Sequence, residues 1–384
     1  MNILIATDSY KGSLDSEEVA KYIRKGAGKV FPDAKFQILA IADGGEGTVD
    51  SILRKQNGRY ETVQVLKPNG GNVQARYGIL KNKTAVLEMA AASGLPLVAL
   101  QDKDVMKATT YGTGQLMKAA LDQGCRNLYI GIGGSATNDA GVGMAQALGA
   151  SFRDRDGKEI GFGGGELERI AEVDLSGMDE RLKTTKITVM CDVTNPLYGP
   201  EGAAGIYGRQ KGATDQQILQ LDVGMKHLAD LMSEQTKEDN RWEKGAGAAG
   251  GLGWGLVVFT GAKLLSGIEA ILELVGFEEK CQWADLVITG EGKIDMQSVC
   301  GKVIHGISVI TTKYQKPLIA VAGSIDDDSS QIYAAGVETM EACVMRPMTI
   351  ENALEKTKQY LPDAAERIMR AVRVGIQMKE KEAM

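Results

Sequence analysis

Acids, lysines and glycines are interleaved in several short stretches of this 384-residue chain. The first is Asp8-Ser9-Tyr10-Lys11-Gly12-Ser13. A carboxylate beside a lysine suits phosphoryl chemistry: the acid binds a metal or takes a proton, and the ammonium neutralises phosphate charge. Turn caps at Asp8 and Ser13 with a solvated Lys11 are the structural alternative. The second stretch, Asp43-Gly44-Gly45-Glu46-Gly47-Thr48, brackets glycines with two carboxylates. Hard cations such as Mg2+ take oxygen ligands, and a helix N-terminus there also suits an anion. A plain helix cap with an acid in its first turn explains the same residues. A third, Thr289-Gly290-Glu291-Gly292-Lys293-Ile294-Asp295 followed by Lys302, again mixes acid, base and glycine.

Other stretches are richer in small residues. Residues 131–136 match GxGxxA within Gly131-Ile132-Gly133-Gly134-Ser135-Ala136-Thr137-Asn138-Asp139. The dinucleotide fingerprint needs a strand before it, a helix directly after it and an acid ~20 residues on. Asp154 and Asp156 are the acids at that distance, but no second strand leads cleanly to either. Ser135, Thr137 and Asn138 equally suit phosphate oxygens. Residues 245–253 (GAGAAGGLG) match GxGxxG without an apolar strand before them, so a close-approach loop and helix packing on small residues are both open. Cys191-Asp192-Val193-Thr194-Asn195-Pro196 reads as a strand ending in an acid, then a turn. Arg209-Gln210-Lys211-Gly212 adds local positive charge.

The stretches that combine glycine with acids fall where strands end. Residues 2–7 form a buried-strand run, and residues 16–30 follow with helical periodicity: Val19, Tyr22, Ile23 and Ala27 share a face and Ser16 is placed to cap. With a strand over 36–42 and a helix after it, the start of the chain reads β-α-β-α, the pattern of a parallel sheet. From residue 60 the texture changes to short alternating runs (60–67, 72–80, 84–89) that read as antiparallel hairpins. A helix over 113–123, strands at 128–132 and 186–191, and a long helix from Asp215 to Gln235 follow, the last with Ile218, Leu221, Met225, Leu228 and Leu231 on one stripe. Past residue 283 strands (286–289, 318–322, 337–343) and helices alternate again. The expected architecture is α/β: a discontinuous Rossmann- or flavodoxin-like parallel-sheet domain from residues 1–62 and 283–384, with a mixed α/β domain, 63–282, inserted. Ligands of open α/β sheets bind at the carboxyl ends of strands, which points to an enzyme.

Composition narrows the class. The net charge of −6 disfavours a nucleic-acid surface. No run approaches the ~18 apolar residues of a membrane span, and the first strand lacks the basic start of a signal peptide. Cys125, Cys191, Cys281, Cys300 and Cys343 are scattered and never spaced CxxC, as in a reducing cytoplasm. There is no Walker A, HRD, DFG or GxSxG, and only His227 and His305, which removes protein-kinase folds, His-based triads and most zinc enzymes.

Taken in order, DSYKGS (8–13), ADGGEGT (42–48), EMAAASGLPL (88–97), TTYGTGQL (109–116), GIGGSATNDAGVGMAQALG (131–149), CDVTNPLYG (191–199), QKGA (210–213), GAGAAGGLG (245–253) and ADLVITGEGKID (284–295) resemble the signatures of the type 1 glycerate kinase family. The likeness spans essentially the whole chain. Tyr10 stands where Phe is common, Arg209 where Pro is usual, Lys293 for a frequent Arg and Ile304 for a frequent Pro. The resemblance implies ATP-dependent phosphorylation of D-glycerate with Mg2+, to 2-phosphoglycerate or 3-phosphoglycerate, by a two-domain fold. It implies small-molecule partners, glycerate and ATP, and leaves a homodimer open. On that footing Asp8 or Asp192 is the base and Lys11 and Lys302 neutralise the transferring phosphate. Asp43, Glu46, Glu291 and Asp295 are candidate Mg2+ ligands. Ser9, Gly133, Gly134, Ser135, Thr137, Asn138, Asp139, Asn195, Lys211, Gly290 and Gly292 are candidates for holding substrate or phosphate. The rivals are a kinase for another small hydroxy acid or polyol, and an NAD-dependent oxidoreductase using residues 131–136.

Overall fold

The computed structural model describes residues 1–41, 49–50, 52–53, 57–295, 298, 302–327 and 329–382. Asp43 and Glu46 lie outside the described residues. The chain divides into two compact units, Met1–Gly44 with Ile268–Met384, and Gly45–Gly267.

The first unit is built on a five-stranded sheet in the order Thr339–Ala342, Leu318–Ile325, Leu286–Ile294, Asn2–Thr7, Lys35–Ala40. Every pairing is parallel. A parallel sheet is covered on both faces, and its strands show why they read as unbroken apolar runs. Leu4, Ala6, Val287, Leu318 and Ala320 enter one core, while Ile3, Ile5, Leu286, Ile288, Ile319 and Val321 enter another. Ile268, Ile271, Phe277 and Cys281 pack in the first of these cores. The helix Ser16–Val30 covers the second with Val19, Ala20, Ile23, Ala27 and Val30. Its cap is Asp15, whose carboxylate accepts from Glu18 N at 2.8 Å, and Ser16 is buried at the helix start. A 33-residue helix, Ile350–Glu382, packs on the same core through Leu361, Ala364, Ala365, Ile368 and Met369.

The second unit has a six-stranded sheet in the order Lys263–Leu265, Lys186–Met190, Asn127–Gly131, Thr84–Glu88, Asn72–Ile79, Arg59–Leu66. Arg59–Leu66 and Asn72–Ile79 form the expected hairpin. Thr84–Glu88 is the point of change: it pairs antiparallel with Asn72–Ile79 and parallel with Asn127–Gly131. Its buried run suits that central place. A further pair, Ser151–Arg153 with Glu172–Asp174, is antiparallel. The helix Asp215–Thr236 starts in a capping box between Thr214 and Gln217 and buries Leu221, Met225 and Leu228.

Candidate active site

In the first unit the sheet order reverses direction at Asn2–Thr7, which is flanked by Lys35–Ala40 on one side and Leu286–Ile294 on the other. In strand-succession terms this is the flavodoxin-like order, and its ligand crevice lies at the carboxyl ends of those two central strands. Asp8 directly follows the first strand. Thr7 is in register with Gly290, and Asp8 N donates to Gly290 O at 2.9 Å. The next residue on the neighbouring strand is Glu291; the strand expected to end at 289 continues to Ile294, with Glu291 paired to Ala322, so pairing alone sets the two carboxylates side by side. They line a pocket of about 500 Å³ with Ser9, Lys11, Gly292, Asp295 and Lys302.

Burial decides the electrostatics. Glu291 is 5% exposed, and desolvation pushes its carboxyl up to about 7; Asp8 and Asp295 push the same way, against the Ser298 hydroxyl and the Lys302 charge. The Ser298 hydroxyl donates to Glu291 Oε1 and accepts from Asp295 N at 3.2 Å. Asp8 is buried too, and Ser9 N donates to its Oδ1 at 2.6 Å. Tyr10 donates its hydroxyl to Val321 O at 2.7 Å, so the oxygen that distinguishes it from Phe is satisfied in the core. Cys343 beside it is pushed up to about 12, chiefly by burial; both groups stay neutral at pH 7. Lys293, which also lines the pocket, pairs with Asp326 at 2.6 Å. Gly290 has a steric cause: a Cβ there would stand 2.3 Å from Val321 O.

A separate cluster lies in the second unit. Lys211 is 2% exposed; its Nζ donates to Ser135 Oγ and to Thr137 O, each at 2.7 Å. Burial lowers its pKa to about 7, with Asp139 pulling the other way. Asp139 accepts from Thr110 N at 2.7 Å, from Thr110 Oγ1 at 2.9 Å and from Gly141 N at 3.2 Å, and burial raises its pKa in spite of these donors. Asn138 is fully buried. Gly133 and Gly134 stay exposed. The stretch 245–253 packs on this loop: Gly250, at φ +71°, would put a Cβ 2.0 Å from Thr137 O, and its own carbonyl accepts from Ala140 N at 3.0 Å. That makes it a close-approach loop. The dinucleotide fingerprint loses its context, because the strand ends at Gly131 and the helix begins only at Val142. The intervening loop bonds to Ser93 and Leu95 instead.

Asp192 and Asn195 sit elsewhere in this unit. Asp192 is exposed and accepts from Gly267 N at 2.8 Å. Asn195 ties a turn, donating to Glu201 O at 2.8 Å and accepting from Tyr207 Oη at 2.8 Å. His227 Nε2 lies 2.6 Å from Ile170 O, a tie between helix and loop.

Sequence reading assigned no role to Ser298, Ser324, Cys343 or Val344, all near the pocket. The available signal was positional, since the last three follow or end the strands at 318–325 and 339–342. Among the described residues no group of three or more His, Cys, Asp or Glu side chains is arranged to hold a metal ion. The pocket's donors are carboxylate oxygens, and Mg2+ is commonly held by one or two carboxylates plus substrate phosphates, so the donor chemistry fits.

A flavodoxin-like sheet with acids and lysines at its reversal point, joined in one chain to a mixed α/β unit, defines an α/β enzyme suited to group transfer on a small molecule. The Glycerate kinase family model matches residues 3–373. Over 98% of this chain and 98% of its own length, glycerate kinase of Bacillus subtilis (strain 168) is 46% identical. Glycerate 2-kinase of Escherichia coli (strain K12) is 45% identical over 98% of this chain and 99% of its own. The crystal structure of a glycerate kinase 2 candidate from Salmonella typhimurium LT2 superposes with a TM-score of 0.79 at 43% identity, covering 98% of this chain and 99% of that one. The chain belongs to the glycerate kinase family, phosphotransferases with an alcohol group as acceptor.

Proposed function

We propose that this protein transfers the γ-phosphoryl group of ATP to a hydroxyl of D-glycerate, giving 2-phosphoglycerate and ADP. The observation that carries the reading is the convergence of Asp8, Lys11, Glu291, Asp295 and Lys302 on one pocket at the reversal point of a parallel sheet. Phosphoryl transfer asks a protein mainly to position reactants and to neutralise charge. Asp8 takes the proton of the attacking hydroxyl, with Asp192 as the alternative base. Lys11 and Lys302 neutralise charge on the transferring group. Glu291 and Asp295 of the first unit are the groups to hold Mg2+, which when bound supplies charge neutralisation at the phosphate oxygens. In the second unit Lys211, Ser135, Thr137, Asn138 and Asp139 order the loop that presents Gly133 and Gly134 to phosphate. Asn195, holding its turn, keeps that end of the second unit in shape, and the chain works as two domains along the lines of the two compact units.

The 2-position is favoured by the Escherichia coli relative that carries it in its name. The four described cysteines are free, which supports a reducing, cytoplasmic setting. The displaced helix after residue 131 speaks against the NAD reading. ADP release from ATP, Mg2+ and D-glycerate tests the activity, with the product then given to enolase. Phosphoenolpyruvate formed without phosphoglycerate mutase establishes the 2-product. Phosphoenolpyruvate only with mutase means the 3-hydroxyl is phosphorylated, and no glycerate-dependent ADP release overturns the reading.

A further inference from the structure

The same pocket has a second wall that the chemistry above leaves unused. Val344, Met348, Ile350, Ala353 and Leu354 line it, and Ile350 and Leu354 are 74% and 37% exposed. Ile350, Ala353, Leu354 and Thr357 recur at helical spacing over the first two turns of Ile350–Glu382, so they share one face. Thr357 adds little polarity, since its hydroxyl donates to Ala353 O at 2.9 Å. Large aliphatic side chains left in water around a concave site mark a binding surface.

A three-carbon hydroxy acid has no use for such a wall. It is polar at every carbon, and a pocket of about 500 Å³ lies within the ~300–1,000 Å³ that encloses far larger ligands. The strand order supplies a distance. Cys343 and Val344 follow the edge strand, two places from Glu291's strand, or about 10 Å at the usual strand spacing. That is the reach from the phosphates of a nucleotide to its base. We infer that the aliphatic wall of Val344, Met348, Ile350 and Leu354 receives the purine base of the nucleoside triphosphate, whose phosphates extend toward Lys11 and Lys302. The inference rests on reading the chain as a nucleotide-dependent kinase. It adds which surface of the first unit recognises the nucleotide.

The test uses the full chain with Leu354→Glu and Ile350→Glu, each placing a charge where the base lies. Ile350 is exposed, so that variant does not disturb the fold, and a thermal melt verifies it. Leu219→Glu, at a 68% exposed leucine of the second unit, controls for the added charge. ADP release is measured with ATP varied at saturating glycerate and with glycerate varied at saturating ATP. At least a ten-fold rise in KM for ATP, with KM for glycerate within two-fold and no change in the control, is the expected result. An unchanged KM for ATP, or a rise in KM for glycerate instead, overturns the assignment. Calorimetric titration with ADP reads the site without turnover: the wild type binds and Ile350→Glu binds at least ten-fold more weakly, whereas equal binding overturns it. Absence of glycerate-dependent turnover in a wild type that binds ADP sinks the acceptor assignment and leaves the nucleotide wall standing.

Discussion

Glu291 is the residue whose environment does most to set the chemistry of the pocket. Its carboxyl, held at about 7 chiefly by burial against an ordinary 4.5, is a group whose folded-state pKa is raised. Such a group stabilises the fold below its unfolded pKa, and that contribution is lost as pH rises through the folded pKa. Urea melts in EDTA between pH 4.5 and 8 are therefore expected to show wild-type stability falling over the window from 4.5 to about 7. Glu291→Gln removes that slope, and the two proteins diverge by up to ~3 kcal/mol at pH 8. Parallel pH profiles for the two would show that Glu291 titrates normally. Asp8→Asn is expected to lower kcat by roughly 10²–10⁴-fold with an unchanged melt, and Asp192→Asn by much less. A reversed order of the two variants moves the proton acceptor to Asp192.

At the scale of elements, glycine placement explains several stretches that look like ligand loops in the sequence. Gly290 and Gly250 are glycine because neighbouring backbone stands where a side chain would go. Gly250→Ala meets both a positive φ and Thr137 O, and more than about 2 kcal/mol of destabilisation is expected by denaturant unfolding. A loss under about 0.5 kcal/mol would mean that the loop relaxes. The hairpin of residues 59–79, the capped helix from Asp215 and the strand runs of the first unit were legible, because each depends on local pattern and turn chemistry. The two-way pairing of Thr84–Glu88 was not, since a five-residue strand with only Ala85, Val86 and Leu87 apolar carries no sign of its neighbours' directions. The helix Ile350–Glu382 continues through polar last turns, with no glycine or proline after Gly375 to stop it.

For the whole molecule, chelation by EDTA is expected to abolish glycerate-dependent ADP release, with recovery on adding Mg2+. Activity that persists in EDTA would remove the metal roles assigned to Glu291 and Asp295. Among the described residues no helix is long and apolar enough to cross a membrane.

The sequence by itself determined the α/β class, the strand end that carries Asp8, and the family, because these reside in contiguous motifs whose order survives without coordinates. Tertiary structure alone decided which motifs meet. Asp8 reaches Glu291 because residues 3–7 pair in register with residues 286–290. Lys211 reaches Ser135 and Thr137 across more than 70 positions of chain. Neither encounter has a local signal, since strand order and burial follow from how distant segments share a core, and burial is what shifts Glu291 and Lys211 toward neutrality.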